Sequence, residues 1–327
     1  MRVTVIRNPV AGGAHAWPGT ARALAEIFPG YSLVETVKGM TGPQVRAAVT
    51  PETDLVLVVG GDGTVGQAVD GLLTSLYPKT AFAFLPGGTG ADFSRNFDWP
   101  ATTERQLQAI ATAAPRRIDV GVLQSHVGGG EAQTTHFINV ASTGVSGEIV
   151  AAIEANRGPS RMPAFLRYRL MSLARIARYK GAALRISVDG RCVYDGAVLV
   201  AAVTNGSWFG AGVRAAPQAL LDDGQLDLVF ARHCGAIGNL KIFAAFANGS
   251  PANSSAIETH RGQVIDIEPH GKIPMAEADG EVIRPGALRF SILPQALTVR
   301  LPPAVAPASS GAWVNERRRF QKAGSEL

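Results

Sequence analysis

The sequence predicts an N-terminal doubly wound α/β nucleotide domain followed by a C-terminal β-sandwich domain with inserted helices. Three observations carry this. Short aliphatic runs alternate with helical periodicity up to about residue 118. Strand-like runs dominate from about 119 to 302. Three early strands end in turns of glycine and small polar residues, at the edge where parallel sheets take ligands.

The first strand, 2–7, ends in the turn Asn8-Pro9 through Gly13. The next strands are expected at 31–36, 54–59 and 80–85, with helices at 18–28, 42–49, 64–74 and 101–113. Leu55 to Val59 is a continuous aliphatic run, as suits a parallel strand buried on both faces. It stops at Gly60-Gly61-Asp62-Gly63-Thr64. From there Val65, Ala68, Val69, Leu72 and Leu73 recur at helical spacing. Thr64 is the expected N-cap, and Gly71 weakens the end of the helix. Ala81 to Leu85 likewise breaks at Pro86-Gly87-Gly88, followed by Thr89, Asp92 and Arg95. Glycines at a strand-to-helix turn let backbone N–H groups approach an anion, and the helix N-terminus adds positive potential. Neither a Walker A sequence nor, at the first turn, a G-x-G-x-x-G fingerprint is present.

In the second half, strands are expected at 118–124, 134–141, 182–188, 192–204, 225–232, 258–268, 286–293 and 297–302. Helices are expected near 145–156, 163–179 and 235–247, and a loop at 127–133. The expected domains are 1–118 and 119–302, with 303–327 a linker and charged tail, mobile or packed back on the first domain.

Composition fits a globular enzyme. With 327 residues the chain can bury two sizeable cores. A strand from Arg2 leaves no room for a signal peptide, and no apolar run is long enough to span a bilayer, so a cytoplasmic location is expected. Cys192 and Cys234 lack metal-like spacing and read as reduced thiols, and the six histidines are scattered.

GGDGT at 60–64 and PGGTGADFSR at 86–95 resemble motifs of the diacylglycerol kinase and sphingosine kinase catalytic-domain family, especially its soluble bacterial lipid kinases. FINVASTGVSGEIV at 137–150, NGSWFGAGVRAAPQALLDDGQLDLV at 205–229 and ADGEVI at 278–283 extend the resemblance through the second half. It implies phosphoryl transfer from ATP to a lipid hydroxyl, with Mg²⁺, between the two domains. Asn8, Gly60, Gly61, Gly63, Thr64, Gly88 and Thr89 would hold the nucleotide phosphates, and Thr36 the adenosine side. Asp62 and Asp92 would repel a triphosphate unless a bridging Mg²⁺, reached through water, stood between. Each also suits an Asx turn or a helix cap.

By the same resemblance Asp279 is the general base and Glu281 belongs to the metal–water network; which one takes the proton stays open. Asp-Gly is also a common hairpin turn. The resemblance further implies a structural cation on Asp223 and the backbone carbonyls of Leu220 and Gln225, with a plain Asp-Gly turn as the other reading. The family usually has Asn-Glu where this chain has Gly66-Gln67, and Asn where it has Ala91. An NAD kinase and a diverged, inactive lipid- or nucleotide-binding protein are the alternatives.

The stretch 157–181 repeats Leu166, Leu170, Leu173 and Ala177 at helical spacing among Arg161, Arg167, Arg169, Arg175, Arg178 and Lys180. Such a basic amphipathic helix can lie on anionic lipid, or pack on the β-domain with solvated arginines. The net charge of +5 fits peripheral attachment to a membrane. Nucleic acid is not expected, because no aromatic interleaving or nucleic-acid motif accompanies the charge. A homodimer is left open.

Overall fold

The computed structural model describes residues 1–11, 17–87, 91–126, 132–155, 164–210, 212–247, 254–284 and 286–306. The first half alternates β1 (Val3–Arg7), α1 (Trp17–Ile27), β2 (Ser32–Glu35), α2 (Thr41–Ala48), β3 (Leu55–Gly60), α3 (Asp62–Leu73) and β4 (Ala81–Pro86). A 3₁₀ turn at Phe93–Asn96 and α4 (Thr103–Thr112) follow. β2, β1, β3 and β4 are parallel and neighbours in that order. Val5, Leu57, Val58, Leu72 and Phe82 are fully buried between this sheet and its helices. Gly71 lies inside α3 and is there for packing: a Cβ on it would run into the backbone of Gly42 on α2.

β5 (Arg116–His126) runs straight across the domain boundary expected at 118–119. The expected strand 134–141 is broken into β6 (Gln133–Phe137) and β7 (Val140–Gly144). α5 (Val145–Ala155), α6 (Ala164–Arg178), β8 (Ala182–Val188) and β9 (Arg191–Thr204) follow. Next come the short pair β10 (Trp208–Phe209) and β11 (Val213–Arg214), then β12 (Leu226–Arg232) and α7 (Gly235–Ala247). The expected strand 258–268 is also two, β13 (Ile257–Gly262) and β14 (Val264–Pro269). It breaks because Gln263 and Val264 turn their N–H groups onto Asp189 Oδ1, at 3.0 and 2.9 Å. A hairpin not foreseen as strands, β15 (Ala276–Ala278) and β16 (Glu281–Ile283), flanks Asp279-Gly280.

The two final strands are one, β17 (Ala287–Val299), bulged between Leu293 and Leu297. Pro294 cannot donate to a ladder, and Gln295 takes a φ of +50° there. β17 pairs antiparallel with β5 and β14 and meets β4 in parallel at Val299–Phe82. The nucleotide-type sheet and the β-rich half therefore share one continuous hydrogen-bonded sheet. Leu184, Val203, Leu228, Phe230 and Phe290 form the second core. Past β17 the chain returns to the first half: Asp98 donates to the Pro303 carbonyl at 3.0 Å and Val305 to the Asn96 carbonyl at 2.8 Å. Residues 307–327, with the whole charged tail, lie outside the described residues.

Candidate active site

α3 starts at Asp62, with Gly61 as an extended N-cap at φ −86° and ψ 178°. Thr64 is therefore not the cap. It sits in the first helical turn, where its Oγ1 accepts from Asn8 Nδ2 at 2.9 Å. That bond joins the turn after β1 to the turn after β3. A Cβ on Gly60 would lie 2.8 Å from the Cβ of Thr64, and one on Gly87 3.1 Å from the Gly60 carbonyl. Only residues without side chains allow the turns after β3 and β4 to close up this far. Thr36 is buried just past β2, its N–H on the Arg7 carbonyl at 2.7 Å. Gly88 and Thr89 lie outside the described residues.

Asp62 and Asp92 fasten loops. The Asp62 carboxylate accepts from the backbone N–H groups of Asp92 at 3.0 Å and Phe93 at 3.3 Å. Asp92 Oδ1 accepts from Gly212 N–H at 2.7 Å, across the cleft in the second half. Asp62, the second turn and the β10–β11 region thus form one chain of contacts. Ala91 sits at φ +51°, a conformation that asparagine, usual in the family, adopts more readily than alanine.

Asp279 and Gly280 both have positive φ, +46° and +84°, as a tight hairpin turn requires. The turn has the hairpin geometry that Asp-Gly favours, and it is driven into the cleft. Asp279 Oδ2 accepts from Ile138 N–H at 2.8 Å, and Oδ1 from Asn139 at 3.1 Å and Val140 at 3.0 Å. This explains the break between β6 and β7: the N–H groups at the break serve a carboxylate instead of a ladder. On its other side Asp279 meets α3, where a Cβ on Gly66 would lie 2.8 Å from the Asp279 Cβ. Glu281 Oε1 lies against Gly63, 3.0 Å from where a Cβ would be. A cavity of about 160 Å³ opens here, its lining including Gly42, Gly63, Gly66, Gln67, Asp279 and Glu281. Its wall is closed by His136 of β6, whose N–H and Nδ1 meet Asp70 Oδ1 of α3 at 3.1 and 2.8 Å.

Glu277 was not anticipated. It is buried in β15, taking a hydrogen bond from Ser142 Oγ on Oε1 and from Gly280 N–H on Oε2 at 2.9 Å. The second bond holds the turn that carries Asp279. The sequence carries no signal for it: across the hairpin Glu277 stands opposite Val282 and Glu281 opposite Ala278, so the two glutamates point to opposite faces.

Burial pushes Glu277 up to about 7, and the charges of Asp279 and Asp92 push the same way against the Ser142 and Gly280 hydrogen bonds. Burial also raises Asp279 to about 7, against its three backbone donors, with the Asp62 charge adding to the rise. Asp62 itself is raised by burial. A carboxyl whose folded pKa exceeds its unfolded value holds an extra proton in the folded state between the two. Folding stability must then fall as pH rises through that window. In metal- and nucleotide-free buffer the protein should be about 2–4 kcal/mol less stable at pH 8 than at pH 5 by urea unfolding. Glu277→Gln should remove a large part of that slope. Equal slopes in variant and wild type would show that Glu277 is not titrating there.

Buried carboxylates raised in this way are relieved by nearby positive charge, and hard oxygen donors suit Mg²⁺. Among the described residues no three acidic, imidazole or thiol groups converge as direct ligands. Asp62 and Asp92 give oxygens to backbone N–H groups, so they would meet an ion only through water. The 220–225 turn does not fit the expected structural cation. Asp223 gives Oδ1 to Gln225 N–H at 3.1 Å and Oδ2 to Arg261 Nη2, and Leu220 is exposed.

Residues 2–123 match the family model described as the diacylglycerol kinase catalytic domain, and residues 139–301 the YegS C-terminal NAD kinase beta sandwich-like domain. The chain thus pairs a match to a diacylglycerol kinase catalytic domain with one to a YegS sandwich domain. Relatives include the protein named diacylglycerol kinase of Mycobacterium tuberculosis, 28% identical over 92% of this chain and 95% of that one. A Chromohalobacter salexigens protein named "Probable lipid kinase YegS-like" is 28% identical over 84% and 85%. A Bacillus anthracis structure titled as a diacylglycerol kinase superposes with a TM-score of 0.68 at 22% identity, over 93% of this chain and 98% of that one. Yeast NADH kinase with NADH gives 0.51 at 12% identity, over 98% and 88%. These two likenesses speak for the fold alone.

Proposed function

We propose that this protein transfers the γ-phosphoryl group of ATP to a hydroxyl of a lipid such as diacylglycerol, with Mg²⁺. The observation that carries the reading is the approach of Asp279 to Gly66 on the helix that opens with Asp62. The acceptor carboxylate and the phosphate-binding turn thereby face one cavity. Gly60, Gly61 and Gly63 with Thr64 and Asn8 hold the phosphates, and Thr36 serves the adenosine side. Mg²⁺, when bound, neutralises charge on the phosphates beside Asp62 and Asp92. Asp279 orients the lipid hydroxyl and takes its proton on Oδ2, the oxygen with a single backbone donor. Its raised pKa suits a base working near neutral pH. Glu281, against Gly63, steadies the water around the ion.

The enzyme works at a membrane surface, attached peripherally. No helix among the described residues is long and apolar enough to cross a bilayer. The segment 157–181 is the proposed contact. Arg161 lies outside the described residues, while Leu170 on α6 is exposed and Arg175 pairs loosely with Glu148 at 3.7 Å. Incubation with labelled ATP and Mg²⁺ tests the whole reading, using anionic vesicles that carry a panel of lipids, with NAD as a soluble acceptor. Label is expected in the lipid, and protein in the vesicle pellet. Label on NAD would transfer the chain to the NAD kinase reading, and label nowhere to the inactive one. Protein left in the supernatant would remove the membrane contact.

A further inference from the structure

The turn that fails to fit a cation is held by the chain's own charges. Arg261 on β13 stands opposite Asp227 on β12 in the strand register. Its Nε donates to Asp227 Oδ1 at 3.1 Å, and its Nη2 to Asp223 Oδ2. The guanidinium therefore bridges two carboxylates that otherwise repel each other, one of them buried. Asp119, fully buried behind the turn, completes the arrangement. Its Oδ2 accepts from Gly224 N–H at 2.7 Å and its Oδ1 from Gln295 N–H at 2.6 Å. Its own N–H donates to the Leu221 carbonyl at 2.6 Å. The turn thus ties together β5, β12, β13 and the bulge of β17.

Two carboxylates this close need positive charge between them. A divalent cation with oxygen ligands is one solution, and a planar guanidinium fork is another. Both compete for the same oxygen of Asp223. We infer that the Arg261 guanidinium occupies, at the 220–225 turn, the place of a structural cation, so the turn keeps its shape without metal. The inference does not rest on the kinase reading. If it holds, divalent ions act on this protein only through the nucleotide site.

Thermal unfolding of the full, nucleotide-free chain tests this, in EDTA and in millimolar Ca²⁺. Asp223→Asn, measured alongside, accounts for calcium bound at the active-site carboxylates. Beyond that correction, wild-type midpoints should agree within about 1 °C. Arg261→Ala should lower the midpoint in EDTA by about 1–4 °C, since the pair is partly exposed. Calcium should then recover about half or more of the loss, because the vacated carboxylates can take a cation. Arg261→Lys, which keeps the charge without the fork, should fall between and serves if the alanine variant does not fold. Calcium stabilisation of the wild type that disappears in Asp223→Asn would overturn the inference. So would an Arg261→Ala midpoint equal to wild type, or a lowered one indifferent to calcium.

Discussion

Asp279→Asn should reduce kcat by roughly 10²–10⁴-fold, the range lost when a general base is removed. An alcohol gives up its proton late, so the acceptor matters chiefly in the transition state. The amide is nearly isosteric, and Ile138, Asn139 and Val140 donate to both carboxylate oxygens. The amide has one acceptor oxygen, so its NH₂ must face at least one of those donors. Some loss of stability should accompany the loss of rate, and ATP affinity measured by calorimetry should stay nearly unchanged. Glu281→Gln should behave differently: part of its loss should return at higher Mg²⁺, as its place beside Gly63 of the phosphate turn requires. Lipid phosphorylation by Asp279→Asn at more than about a tenth of the wild-type rate would remove it from the base role.

Gly66→Ala should lower kcat by about 10²-fold, although position 66 contributes no chemistry. The new methyl would lie 2.8 Å from the Asp279 Cβ and 2.9 Å from its Oδ2. Three hydrogen bonds and a left-handed backbone fix Asp279, so α3 and the hairpin must move apart. Displacements near 1 Å at a reacting group cost about that factor, and the crowding itself costs about 1–3 kcal/mol. An asparagine side chain at position 66 would meet the same carboxylate. Gly262→Ala is the control. It crowds Val188 and Asp189 away from the cavity, so it should destabilise the fold while the folded fraction keeps wild-type kcat. A Gly66→Ala enzyme with unchanged kcat would show that the distance from α3 to Asp279 is not critical.

Much of this site is legible from the chain because its parts are local. Leu55 to Val59 is apolar on both faces and ends in glycines, so strand, turn and helix follow from neighbouring residues. The helix start was placed two residues late, at Thr64. A threonine is a good cap, and nothing nearby shows that its hydroxyl belongs to Asn8, 56 residues away. The break at 138–139 was invisible for the same reason. Ile138-Asn139 continues a β pattern, and its N–H groups find their acceptor 141 and 140 residues downstream. Glu277 reads as a surface acid until burial is known. Arg261 reads as one more exposed strand arginine until Asp223 is seen beside it. The final strand was split at Pro294, which bends it without ending it.

β17 has a consequence for how the protein is made. β1 to β4 can pair as soon as they leave the ribosome. The strand that joins their sheet to the second half, however, is synthesised long after them, and it pairs with β5 about 170 residues earlier. Contacts of such long sequence separation form slowly, because a large loop must close first. A nascent chain can therefore build the phosphate turns long before the Asp279 hairpin is braced against them. On the proposed reading, such an intermediate binds nucleotide but does not yet transfer phosphate from it. Truncation before Ala287 should leave a half-built sheet whose β4, β5 and β14 edges are open to aggregation.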